Sequence, residues 1–117
     1  RSLAQGSDEY VGHYGGGQLE RDSAYHQGTV WGWLLGPFAE AHFRVHGDAG
    51  RARSFLRPLF GHLNEACVGS ISEIFDGDAP HRAQGCFAQA WSVSETLRVW
   101  TALEGRGHDN TNQRKSP

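Results

Sequence analysis

The chain has 117 residues, a formal net charge of −2, 38% apolar residues and 21% charged residues. That balance suits a globular chain with a modest core, either one small domain or part of a larger one. It argues against a nucleic-acid binder, because no cluster of Lys and Arg offsets the acidic excess. It also argues against a membrane-spanning helix, because no apolar run approaches the roughly 18 residues required.

The chain opens RSLAQGSDEY, with no basic start followed by an apolar stretch, so no signal peptide is visible. There is no Met anywhere, which suggests a trimmed or excerpted chain. Cys67 and Cys86 are too few for a disulfide scaffold and form no CxxC pair, so two free thiols in a reducing cytoplasm are expected. Four Trp residues are many for this length and suit either a core or a site that stacks flat ligands such as sugar rings.

In chain order, residues 1 to 24 are polar and Gly-rich and are expected to be loop or extended chain. From Thr29, a plausible N-cap, to about Val45, the residues Trp31, Leu34, Leu35, Phe38, Ala41, His42 and Val45 recur at helical steps. Gly36 and Pro37 should weaken or kink that helix, and Gly47 should end it. Asp48 caps a second predicted helix over about Ala49 to Cys67, with an apolar stripe of Phe55, Leu56, Leu59, Phe60 and Leu63 and a kink at Pro58. Residues 68 to 87 have no helical period and carry Gly69, Asp76, Gly77, Asp78, Pro80 and Gly85, which predicts a long irregular loop. A third helix is predicted from about Ala88 to Leu103, packing through Trp91, Val93, Leu97 and Trp100. The polar residues 105 to 117 are expected to form a disordered tail. No strand signal of any length is present, so the expected class is all-α, with three to four helices and long loops.

Two segments concentrate chemistry. Arg21 to Trp31 packs aromatic and hydrogen-bonding side chains at a helix entrance, where unpaired N–H groups favour oxygen-rich ligands. Ser70 to Asp78 holds Glu73 between Ile71, Ile74 and Phe75 in a Gly/Asp loop. A carboxylate among apolar neighbours tends toward a raised pKa, which serves proton transfer. Ordinary roles compete with these. A loop Glu is usually solvated, Trp31 and Trp91 suit a core as well as a ligand platform, and His26 could satisfy a cap. His42 and His46 are four apart but lack an acidic or Cys partner, and Asp76 and Asp78 lack the other positions of a calcium loop, so neither pair predicts a metal. The Asp-Gly-Asp run is expected to form a turn.

The strings YHQGTVWGWLLGPF and GSISEIFDGDAPHRAQGCFAQAWSVSETLR resemble the C-terminal end of bacterial amylo-α-1,6-glucosidases, the glucosidase half of glycogen debranching enzymes. The resemblance covers about residues 18 to 103. It implies part of an (α/α)6 toroid spanning residues 1 to 104, an inverting hydrolysis of branch-point glucose in α-glucans such as glycogen, and no cofactor. By the same resemblance Glu73 is the general base, and Tyr25, His26, Gln27 and Trp31, with Gln89 and Trp91 more weakly, line the glucose subsite. No residue here matches the family's general acid. The family's usual VWPW reads VWGW here, and Gly32 in place of Pro should loosen the helix entrance. A homodimer or a missing N-terminal portion would complete the barrel. The alternatives are an oligomeric structural or glucan-binding module whose stripe of Phe55, Leu59 and Leu63 is buried by a partner, and a glucoamylase- or trehalase-like enzyme of other specificity.

Overall fold

The computed structural model describes residues 1–106. The elements in order are α1 (Gln18–Ala24), β1 (Val30–Trp31), a 3₁₀ turn (Gly32–Leu34), α2 (Leu35–His46), α3 (Ala49–Ser54), α4 (Arg57–His62), β2 (Ile74–Phe75), β3 (Ala83–Gln84) and α5 (Ala90–Glu104). The chain is predominantly helical, as expected, with one small antiparallel sheet in the order β1-β2-β3. Most of the proposed tail, residues 107–117, lies outside the described residues.

The helices obey the local rules of the sequence with some corrections. The segment Gln18–Ala24, expected to be irregular, is a helix whose Glu20 side chain accepts from the backbone N–H of Gly17. It escaped notice because it has no apolar stripe, and Leu19 on it is 80% exposed. Thr29 does not cap a helix. It is buried, donates to the Tyr25 carbonyl at 2.6 Å and accepts from Trp31 Nε1 at 3.1 Å. The helix starts later, at Leu35, so Pro37 falls in its first turn, where no intrahelical hydrogen bond is lost and no kink follows. Gly47 ends α2 with φ +70°, as its lack of a Cβ permits. Asp48 caps α3 by accepting from Arg51 N at 2.8 Å. The helix predicted over residues 49 to 67 breaks after Ser54, because the Pro58 ring cannot follow a helical carbonyl four residues earlier, and Pro58 instead enters the first turn of α4.

The core lies where α2, α3 and α5 meet. Ala39, Ala52, Leu56, Val99 and Leu103 are almost wholly buried there, with Leu35, Phe43, Phe55, Phe60 and Trp100 packed around them. Small residues bring α2 close to α5: a Cβ on Gly36 would sit 3.1 Å from the Glu95 carbonyl. Gly36, read from the sequence as a cost, is the residue that allows the approach. The predicted helix faces match the real ones only in part: Leu35 and Trp100 pack on the core as expected, but the most buried positions differ. On α5 the buried line is Ser92, Thr96, Val99 and Leu103, whereas Trp91 and Leu97 are exposed. On α2 the buried residues are Gly36 and Ala39, whereas Leu34, Phe38 and Val45 remain 43%, 53% and 76% exposed. The stripe thought to need a partner, Phe55, Leu59 and Leu63, is largely covered, with Leu59 fully buried. The open apolar ridge is on α2 instead. Among the described residues no helix is long and apolar enough to cross a membrane.

Residues 1–14 have no regular structure but are fastened by the Asp-Gly-Asp run, which does more than turn the chain. Asp76 is buried and accepts from the Tyr14 backbone N–H at 2.9 Å, with His13 Nδ1 also 2.9 Å away. The Gly77 carbonyl accepts from Arg1 Nε at 2.6 Å. Asp78 accepts from Gln5 at 2.7 Å and from the Tyr10 hydroxyl at 2.8 Å, and these bonds, the Gln5 amide first, hold its carboxyl below its ordinary value of 3.8. A depressed carboxyl pKa stabilises the folded chain above the unfolded value, and the contribution is lost as pH falls through the lower folded value. Amide exchange near Tyr10 and Asp78 should therefore be unchanged between pH 7 and pH 5 after correction for intrinsic rates, and should accelerate only at pH below 3.8. Acceleration already at pH 5 would contradict the assignment.

Candidate active site

The small sheet gathers the two chemistry-bearing segments. Val30 pairs with Phe75 and Trp31 with Ile74, and β2 pairs on its far edge with Ala83 and Gln84. Glu73 immediately precedes β2. Its backbone N–H donates to the Cys86 carbonyl at 2.8 Å, and its carbonyl accepts from Gly32 N at 3.4 Å. A Pro at position 32 could not make that bond, and a Cβ there would lie 3.3 Å from Ser92 Oγ and 3.4 Å from the Ser72 carbonyl. Gly32 therefore tightens the junction between the two segments and does not loosen it.

The apolar residues that flank Glu73 in sequence do not surround it in space. Ile71 and Ile74 turn into the interior, whereas Glu73 stays half-buried among donors. One carboxylate oxygen accepts from Gln89 Nε2 and the other from the Cys86 backbone N–H, both at 3.2 Å. The Tyr25 hydroxyl also faces this carboxylate. Burial first, and then the hydrogen bond to Glu73, push the Tyr25 pKa well above its ordinary value of 10.0. Tyr25 thus remains a protonated donor throughout the working range of any such site. The carboxylate is held by two donors, from the β3 exit and the start of α5, with the Tyr25 hydroxyl facing it from α1's exit.

An aromatic wall stands beside it. The His26 ring stacks on Trp31 at 4.9 Å and 4°, and Tyr25 meets Trp31 edge-on at 4.8 Å and 71°. Tyr14 closes on Tyr25 at 5.8 Å. Such a wall suits a sugar ring, whose C–H faces pack on aromatic surfaces while its hydroxyls need nearby donors and acceptors. Of the residues singled out from sequence, Glu73, Tyr25, His26, Trp31 and Gln89 therefore come together. Gln27 is half-buried beside them and takes part through its backbone, its carbonyl accepting from Val11 N. Trp91 stacks on Trp33 at 4.2 Å and 14°, so its contact is to the second Trp of the motif.

Several residues at the site gave no sequence signal. His62 and Ser72 are buried behind Glu73 and hydrogen-bonded to each other, and a lone His on a short helix carries no pattern that would expose this. Cys86 contributes backbone groups, its N–H to the Glu73 carboxylate and its carbonyl to the Glu73 N–H, which no sequence motif reveals. Cys67 and Cys86 are both free thiols. A cavity of about 350 Å³ is lined by His62, Glu65 and Gly32 together with Val30, Leu59 and Phe75, and by none of the site residues proposed from sequence. Among the described residues no group of three or more His, Cys, Asp or Glu is placed to hold a metal.

Gly85 sits at the back of the carboxylate with φ +67°, and a Cβ there would lie 2.6 Å from Glu73 Oε2 and 2.9 Å from Ile74. Gly85→Ala should cost about 1–3 kcal/mol through backbone strain and overlap. A urea midpoint that stays at the wild-type value would rule this out.

The family model described as amylo-alpha-1,6-glucosidase matches residues 1–98, which takes in both segments that build the site. No curated protein and no solved structure matches the chain. The match covers most of the chain, and it carries the Glu73 loop and the Tyr25–Trp31 wall together: the chain belongs to the amylo-α-1,6-glucosidase family.

Proposed function

We propose that this chain is the late part of a glycogen-debranching-type α-1,6-glucosidase, an (α/α)6-toroid enzyme of the cytoplasm that hydrolyses branch-point glucose of α-glucans with inversion. Glu73 is the general base. The observation that carries the reading is the half-open Glu73 carboxylate, oriented by Gln89 and the Cys86 N–H beside the His26–Trp31 stack. A base in this role takes a proton from water on the face of the sugar opposite the leaving group, and the acid that protonates the glycosidic oxygen stands about 6.5–9.5 Å away. The other carboxylates with assigned contacts near this region have structural work: Asp76 holds Tyr14, Asp78 holds Tyr10, and Glu65 meets His62. The acid and the remaining subsite walls come from outside this chain. The exposed ridge of Leu34, Phe38 and Val45 supports that reading, since soluble proteins seldom leave such a stripe uncovered.

The test is the anomer released from a branched limit dextrin by the full-length gene product. Proton NMR immediately after mixing should record β-glucose, and the isolated chain should release none. Initial release of α-glucose, or clear turnover by the isolated chain, would overturn the reading. The same ridge would also suit a self-associating glucan-binding module. Light scattering on the isolated chain separates the two, because a discrete dimer with no hydrolysis by any longer product favours the module.

A further inference from the structure

The peptide group just before Glu73 is held by side chains, and this is unusual for a loop. The Ser72 backbone N–H donates to His62 Nε2 at 3.2 Å, and the Ser72 hydroxyl lies 3.0 Å from the same nitrogen. The Ser72 carbonyl accepts from Ser92 Oγ at 3.3 Å. All three residues are buried, and the Phe75 ring stands edge-on to His62 at 4.9 Å and 74°. A backbone N–H can only donate, so His62 Nε2 must present its lone pair, and the ring proton resides on Nδ1. That nitrogen is 2.8 Å from Glu65 Oε2, which accepts the hydrogen bond from Nδ1–H. The carboxylate outside thus fixes the tautomer that the peptide inside requires.

We infer that His62, set in its Nδ1–H tautomer by Glu65, is a positioning residue for the Glu73 carboxylate, acting through the Ser72 peptide. This rests on the assignment of Glu73 as general base. One end of the clamp is on α4 and the other, Ser92, is on α5, so the loop between them is tied to both helices at the residue adjoining the base. Glu73 then has its own N–H and carbonyl tied to Cys86 and Gly32. Consecutive peptide groups with no free partner leave the side chain little room to drift, and drift of about 1 Å is enough to cost a reaction on the order of 100-fold.

The test compares three variants of the full-length gene product, each checked for its melting temperature. His62→Phe keeps a flat ring of similar size but has no acceptor, and His62→Gln places an amide oxygen near the lost Nε2. His62→Phe should lower kcat at least about tenfold while KM changes little, and His62→Gln should recover most of the loss. Glu73→Gln is the control. In the isolated chain, ring nitrogen NMR should find His62 Nε2 unprotonated at neutral pH. A protonated Nε2 would overturn the clamp. So would full activity in His62→Phe, or a loss that follows melting temperature and is not recovered by Gln, provided Glu73→Gln is inactive. If Glu73→Gln turns over like the wild type, the base assignment fails and the positioning role fails with it.

Discussion

Glu73→Gln should lower glucose release from a branched dextrin by about 10²–10⁴-fold in the full-length gene product, the usual range for losing a general base. Affinity for the glucan should change little, because the amide keeps the shape and one acceptor oxygen while losing only the capacity to take a proton. In kinetic terms kcat falls and KM stays near its original value. The local structure should tolerate the change. The amide has a single acceptor oxygen, so it keeps the bond from either the Gln89 amide or the Cys86 N–H and loses the other, a modest local cost. The measurement is a steady-state glucose assay with the variant's melting temperature beside it. Retained kcat in a folded variant would remove Glu73 from the mechanism, whatever the family membership of the chain.

The largest effect on stability should come from Leu56→Ala. Leu56 is 0% exposed and lies at the junction of α3 and α4, within the cluster that includes Ala39, Ala52, Val99 and Leu103. Its neighbours are held in the packed junction of three helices with Phe43, Phe55, Phe60 and Trp100 around them, so the structure can close only part of the space that the leucine leaves. Truncations of this kind cost about 2–5 kcal/mol. Domains have about 5–15 kcal/mol in total, so the loss is a large share. Chemical denaturation of the isolated chain should show the midpoint falling with an unchanged slope. A drop under about 1 kcal/mol would mean that the α3–α4 corner packs less tightly than its burial implies.

The parts that the sequence made legible were those with strong local chemistry. Gly47 as a left-handed helix end, Asp48 as a cap and α5 as a helix follow from rules that act within a few residues. The meeting of the Glu73 loop with the Tyr25–Trp31 segment is foreshadowed by two long strings in the sequence, and the β1–β2 pairing joins them. What failed was the assignment of faces. On α5, apolar spacing selected Trp91, Val93, Leu97 and Trp100, of which Trp100 packs on the core, but the fully buried line is Ser92, Thr96, Val99 and Leu103. Ser92 and Thr96 can be buried there because each hydroxyl finds a backbone carbonyl, that of Ser72 at 3.3 Å and that of Ser92 at 2.8 Å. The strands were invisible because each is two residues long and shows no alternation. The surroundings of Glu73 were misread for the same reason. Neighbours in sequence were apolar, but the donors that hold the carboxylate come from residues 12 or more positions away.

The fastening of the first fourteen residues bears on the order in which the chain can acquire its shape. Arg1 meets Gly77 across 76 positions, and His13 meets Asp76 across 63. The earliest part of this segment to leave the ribosome can first meet residues 27–29, through Ser2 with Gly28 and Thr29 and through Val11 with Gln27, and gains its ties to the Asp-Gly-Asp run only later. The Glu73 loop likewise waits for Gln89 and Ser92 on α5. Helices α3 and α4 can form from neighbours alone, and the aromatic wall from residues 14–31, but the carboxylate gains its full set of ties only after α5 has emerged. Contacts of such long span are slow to form, because chain closure must precede the interactions that reward it.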